Sequence, residues 1–106
     1  RVNTDEEANF ILRKISWALN GATAVSTPSE DTLVVTNPSA GSMTFALDGD
    51  DIEITRGGDT LPLNSSNVSV SQLIFIDTLA GGGVPASVRV STTISGRSYG
   101  LTKYLR

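Results

Sequence analysis

Cysteine and histidine are both missing from this chain. Without cysteine there is no disulfide, no thiolate metal site and no thiol nucleophile. Without histidine the commonest general base and the commonest metal ligand are gone too. Long apolar runs are absent: no stretch approaches the ~18 residues a membrane helix needs. Charge is sparse in both signs. Eight Lys and Arg stand against eleven Asp and Glu, a net charge of -3 over 106 residues. No basic patch points to nucleic acid, and no charged run forms a tail. Residues 1–106 are read as one domain with room for one modest core. Thr, Ser, Gly and Val are plentiful, a usage that suits extracellular β domains.

The chain opens on helical periodicity. Thr4 followed by Glu7 fits a capping box, in which hydroxyl and carboxylate each satisfy a free backbone N–H. Asp5, Glu6 and Glu7 put negative charge at the positive end of the helix dipole, and Asn20-Gly21 supplies a stop. Ala8, Ile11, Leu12, Ile15, Ala18 and Leu19 share one face about 120° wide, enough to lie on a sheet. Phe10 and Trp17 form a second stripe on nearly the opposite side, with Arg13 beside them. Either the loop after Gly21 folds over Trp17, or Phe10, Arg13 and Trp17 contact another subunit, as clustered exposed aromatics often do.

After Gly21 the period changes from about 3.6 to about 2. ATAVS (22–26) and TLVVT (32–36) are short strands around TPSED. SMTFAL (42–47) and DIEITR (51–56) alternate, with Asp48-Gly49-Asp50 between them as a tight hairpin. A Gly49-Asp50 loop sets Leu47 opposite Ile52 and Phe45 opposite Ile54, so the apolar faces coincide. TLPL (60–63) reads as an edge strand because of Pro62. In NVSVSQLIFID (67–77), Val68, Val70, Ile74 and Ile76 share one parity, while Leu73 and Phe75 take the other. That pattern predicts a central strand covered on both sides. A final hairpin is placed around Gly96-Arg97 as a type II′ turn, pairing Ile94 with Tyr99, Val90 with Lys103 and Arg89 with Tyr104. The expected fold class is α+β: one N-terminal amphipathic helix packed on a meandering antiparallel β-sheet.

Few residues invite chemistry. DGDD (48–51) gathers three carboxylates beside a glycine, but lacks the Glu that closes a calcium loop. It needs no metal as a turn. GGG (81–83) is followed by neither the Lys nor the helix of a phosphate loop. No nucleophile–base pair stands out. The expectation is no catalytic residue, no cofactor, no metal and no small-molecule substrate.

The helix and the last hairpin carry a resemblance. EEANFILRKISWALNGATAV resembles the stretch just after the membrane-spanning part of bacterial type IV pilin-like proteins and type II secretion pseudopilins. SVRVSTTISGRSYGLTKYLR is similar to the last hairpin of many such proteins. The family's Gly-Phe-Thr-Leu-Ile-Glu processing site is absent from this sequence, as is the C-terminal Cys pair of many major pilins. The resemblance implies a pilin-like soluble domain and a non-catalytic structural subunit, a minor pilin or pseudopilin, of a type IV pilus-like or type II secretion filament. Its partners would be other pilin-like subunits and, through an N-terminal helix missing here, the inner membrane before assembly. It would later stand in a periplasmic or extracellular filament. On that view the residues from Asp5 to Asn20 are the second half of one long helix, which would explain why the helix stands alone. The competing expectation is a free-standing extracellular binding or adhesin module; a viral or phage structural subunit is a third.

Overall fold

The computed structural model describes residues 4–39, 41–66 and 68–105. Among the described residues one helix, α1 (Thr4–Leu19), precedes eight strands. β1 (Ala24–Ser29), β2 (Thr32–Asn37), β3 (Gly41–Asp48), β4 (Asp51–Arg56) and β5 (Asp59–Pro62) make a five-stranded antiparallel sheet in that order. β6 (Val70–Thr78), β7 (Ser87–Ile94) and β8 (Arg97–Tyr104) make a second, three-stranded one.

This corrects the expected architecture. There is no single meandering sheet beneath a helix, and the molecule is not the helix-on-sheet, pilin-like α+β fold. It is a small β-rich domain whose two antiparallel sheets share a core with one short helix. The split occurs after β5, which has four residues and ends on Pro62, an edge residue that has no N–H to donate. The chain then turns at Asn64, which is buried. Asn64 Oδ1 accepts the Ile52 N–H at 2.8 Å, and its amide donates to Asp51 Oδ1 at 3.0 Å and to the Ser65 carbonyl at 3.2 Å. The β1–β2 and β3–β4 turns lie at the same end of the first sheet, as antiparallel order requires. β6 crosses that end. The Val70 N–H donates to the Asp50 carbonyl at 2.8 Å and the Phe75 N–H to the Glu30 carbonyl at 2.7 Å, so the second sheet hangs from the turns of the first.

The core fills the space enclosed by the three layers. α1 contributes Ala8, Ile11, Ile15, Ala18 and Leu19, all buried, with Leu12 partly buried beside them. This is the face marked by the helical period. The first sheet contributes Leu33, Val35, Met43, Phe45 and Ile52, and the second Val70, Leu73, Phe75, Val88, Val90 and Ile94. Gly21, at a φ of 82°, closes the helix, and the Ala22 N–H returns to the Leu19 carbonyl at 3.1 Å. Asn37, buried at the end of β2, donates to the Ala18 and Asn20 carbonyls at 3.0 and 2.9 Å. It thereby satisfies two of the acceptors a helix end leaves open.

Three local expectations fail. Glu7 does not reach back to Thr4: its carboxylate takes the Ser65 N–H at 2.7 Å and the Ser65 hydroxyl at 2.6 Å. β6 is an edge strand, and the register shifts between Val70 and Gln72. A bulge of this kind switches the inward parity from Val70 to Leu73 and Phe75 and leaves Ile76 exposed. The last hairpin turns at Ser95-Gly96, with Ile94 opposite Arg97 and Val90 opposite Leu101. Both loop residues have positive φ, 48° and 83°, as a type I′ turn requires. Arg89 faces Thr102, so no Arg89–Tyr104 pair forms. By contrast, Leu47 does lie opposite Ile52 and Phe45 opposite Ile54, and β5 does form an edge.

Candidate functional site

The second stripe of α1 remains on the surface. Phe10 is 50% and Trp17 43% exposed. The segment after Gly21 does not fold over Trp17, because it is used as β1, paired with β2. Cations flank the ring instead. Lys14 Nζ sits 4.0 Å from the ring centroid and Arg56 Cζ 5.6 Å, within cation–π range. Arg13 lines a shallow dish with Phe10, Lys14 and Trp17. Lys14 also lines a neighbouring groove with Ile54, Arg56, Leu61 and Leu63. Leu61, on edge strand β5, is 63% exposed. Phe10, Arg13 and Trp17 are thus brought together as expected. The surface they start continues through Lys14 and Arg56 onto the sheet edge.

Lys14 and Arg56 were not among the expected site residues. The signals for both lay in the sequence. Lys14 stands three residues before Trp17, so the two meet on one helix face. Arg56 shares the parity of Ile52 and Ile54, so it points to the side of the sheet that carries the helix. What it meets there depends on where α1 lies, which strand parity does not specify.

A second polar cluster fastens the start of α1. The Tyr99 hydroxyl donates to Asp5 Oδ1 at 2.5 Å, and Arg97 Nη1 lies 3.3 Å from the same oxygen. The Tyr99 hydrogen bond is the main cause holding the Asp5 carboxyl below its ordinary value of 3.8; desolvation opposes it, and the Arg97 charge and hydrogen bond lower it further in smaller measure. The Tyr99–Asp5 bond also raises the Tyr99 hydroxyl above its ordinary 10.0. A depressed carboxyl adds stability that is complete above the unfolded value and disappears as pH falls through the folded one. The melting temperature of wild type should therefore exceed that of Tyr99→Phe above pH 3.8, and the gap should close as pH drops below it. Equal acid sensitivity of the two proteins would show that Asp5 and Tyr99 are not coupled.

Among the described residues no group of three or more His, Cys, Asp or Glu converges to hold a metal ion. Among them, too, no helix is long and apolar enough to cross a membrane. The hydroxyl–carboxylate contacts of Tyr99 with Asp5 and Ser65 with Glu7 join α1 to β8 and to the loop after β5. The chain has no imidazole to relay a proton in either, the group nucleophilic catalysis of a hydroxyl most often uses. The arrangement is suited to contact: aromatic rings and aliphatic side chains interleaved with cations beside an open strand edge. No family model, curated protein or solved structure matches this chain.

Proposed function

We propose that the protein is a non-catalytic structural subunit of a bacterial type IV pilus-like or type II secretion filament. The observation that carries the reading is the half-exposed Phe10–Trp17 stripe, which the domain's own loops leave uncovered. A helix that buries one apolar face in its own core and offers a second to solvent is suited to packing against neighbours. The likeness of EEANFILRKISWALNGATAV and of the last hairpin to pilin-like sequences supports the same reading. The two-sheet fold does not add to it. The partners it supplies are other pilin-like subunits, with the inner membrane as the place before assembly and a periplasmic or extracellular filament after it.

The test is Trp17→Ala in the cells that make the protein. An exposed cation–π contact is worth about 0.5–1 kcal/mol, so the purified domain should melt nearly as wild type does. Incorporation into filaments, read by immunogold labelling of sheared surface fibres, should fall severely. A Trp17→Ala protein incorporated as well as wild type would sink the proposal. A free-standing binding module would give no labelled fibres with either protein.

A further inference from the structure

Carboxylates gather at the end of the molecule where α1 starts, with Arg97 paired to Asp5 among them. The β1–β2 and β3–β4 turns lie at one end of the first sheet, and with them lie Glu30, Asp31, Asp48, Asp50 and Asp51. The start of α1 is at the same end, tied there through Glu7 to Ser65, beside the Asn64 that binds Asp51. Glu6 adds to that end. The other end of α1 is held by Asn37, where β2 turns into β3. Arg13, Lys14 and Arg56 gather around Trp17 toward that end, with Asp59 the one carboxylate among the described residues that line the adjoining groove. The chain is net acidic, yet this dish is cationic and aromatic.

We propose that the dish lined by Phe10, Arg13, Lys14 and Trp17 receives the β3–β4 turn of a second copy of this chain. The turn suits the role. It is a two-residue hairpin loop, Gly49-Asp50, flanked by the directly paired Asp48 and Asp51, and Asp48, Gly49 and Asp50 are exposed. A narrow acidic tip would meet a shallow basic dish, with Lys14 and Arg56 already held over the indole. The two surfaces are different and lie toward opposite ends of the molecule, so the contact is head to tail. Such a contact generates open strings of subunits unless the rotation between copies closes a ring. The inference rests on the filament-subunit reading and deepens it by naming which surface meets which.

Two complementary variants test it. Lys14→Gln with Trp17→Ala removes the dish and keeps the turn; Asp48→Asn with Asp50→Asn removes the turn and keeps the dish. In sedimentation equilibrium at low salt, the wild-type chain should associate weakly beyond a dimer as concentration rises. Each variant alone should associate at least about tenfold more weakly. A 1:1 mixture should form a heterodimer and stop there, since one intact dish meets one intact turn. Raising salt from about 0.02 M to about 0.5 M should weaken wild-type association by a similar factor, because exposed charges are screened. A wild-type chain that stays monomeric, variants that associate as wild type does, or a mixture that fails to pair would each overturn the contact. Melting curves establish that each variant is folded. If the dish variant unfolds, association retained by the turn variant alone is enough to overturn it. The experiment is also separable from the filament reading. Head-to-tail pairing with normal Trp17→Ala incorporation would keep this contact and discard the filament role. A monomeric chain with failed incorporation would do the reverse.

Discussion

Replacing Ile15 with alanine should destabilise the domain by about 2–5 kcal/mol, the range for truncating a fully buried aliphatic side chain. Ile15 has no exposed surface and lies at the centre of the apolar face of α1. It belongs to a core shared with Leu33, Phe45 and Val90, drawn from both sheets. A cavity there is bordered by three layers, and none can close it without pulling away from the other two. Phe10→Ala on the opposite face is the control. Its ring is half exposed, and surface substitutions usually stay within about 0.5 kcal/mol. Urea unfolding of the two variants should separate them clearly. An Ile15→Ala protein as stable as wild type would mean that α1 buries a different face.

The second large effect is expected at Asn64, where the chain leaves the first sheet. Its Oδ1 holds the buried Ile52 N–H, and its amide reaches Asp51, the Ser65 carbonyl and, at 3.5 Å, the Val68 carbonyl. Asn64→Leu keeps a similar volume and removes every one of these bonds. Orphaning buried backbone groups costs about 1–3 kcal/mol each, so the loss should be comparable to that for Ile15. The variant should also speed hydrogen exchange at the Ile52 amide, which in wild type is bound by a side chain rather than a neighbouring strand. Unchanged protection at Ile52 would show that the amide has another acceptor.

Where two sequence signals agree, the structure follows them. Parity and turn chemistry both set Leu47 opposite Ile52, and that pairing forms. Where only one signal speaks, the reading drifts. Moving the last hairpin by two residues leaves every side chain on the same face, so parity could not choose between Gly96-Arg97 and Ser95-Gly96. The choice fell to Ser95, a non-glycine residue with a φ of 48°. The bulge between Val70 and Gln72 was invisible for a related reason. Apolar residues of both parities look like a strand covered on two sides, when the chain has in fact changed its inward face once. The division into two sheets falls at Asn64, a polar residue whose burial no periodicity marks. The Phe10–Arg13–Trp17 stripe was legible because it lies on a single helix. Arg56 reaches the same surface from another element, through packing that strand parity alone does not encode.

The fastening of α1 at both ends bears on how the domain would carry load. Its first turn is tied to β8 through Asp5 and to the loop after β5 through Glu7, and its last carbonyls are held by Asn37. A force pulling along the helix axis would act on these attachments and on the interlocked core side chains together. They would be sheared as a set, whereas a force across the helix would peel them off one after another. Tension along α1 should therefore meet more resistance than tension across it.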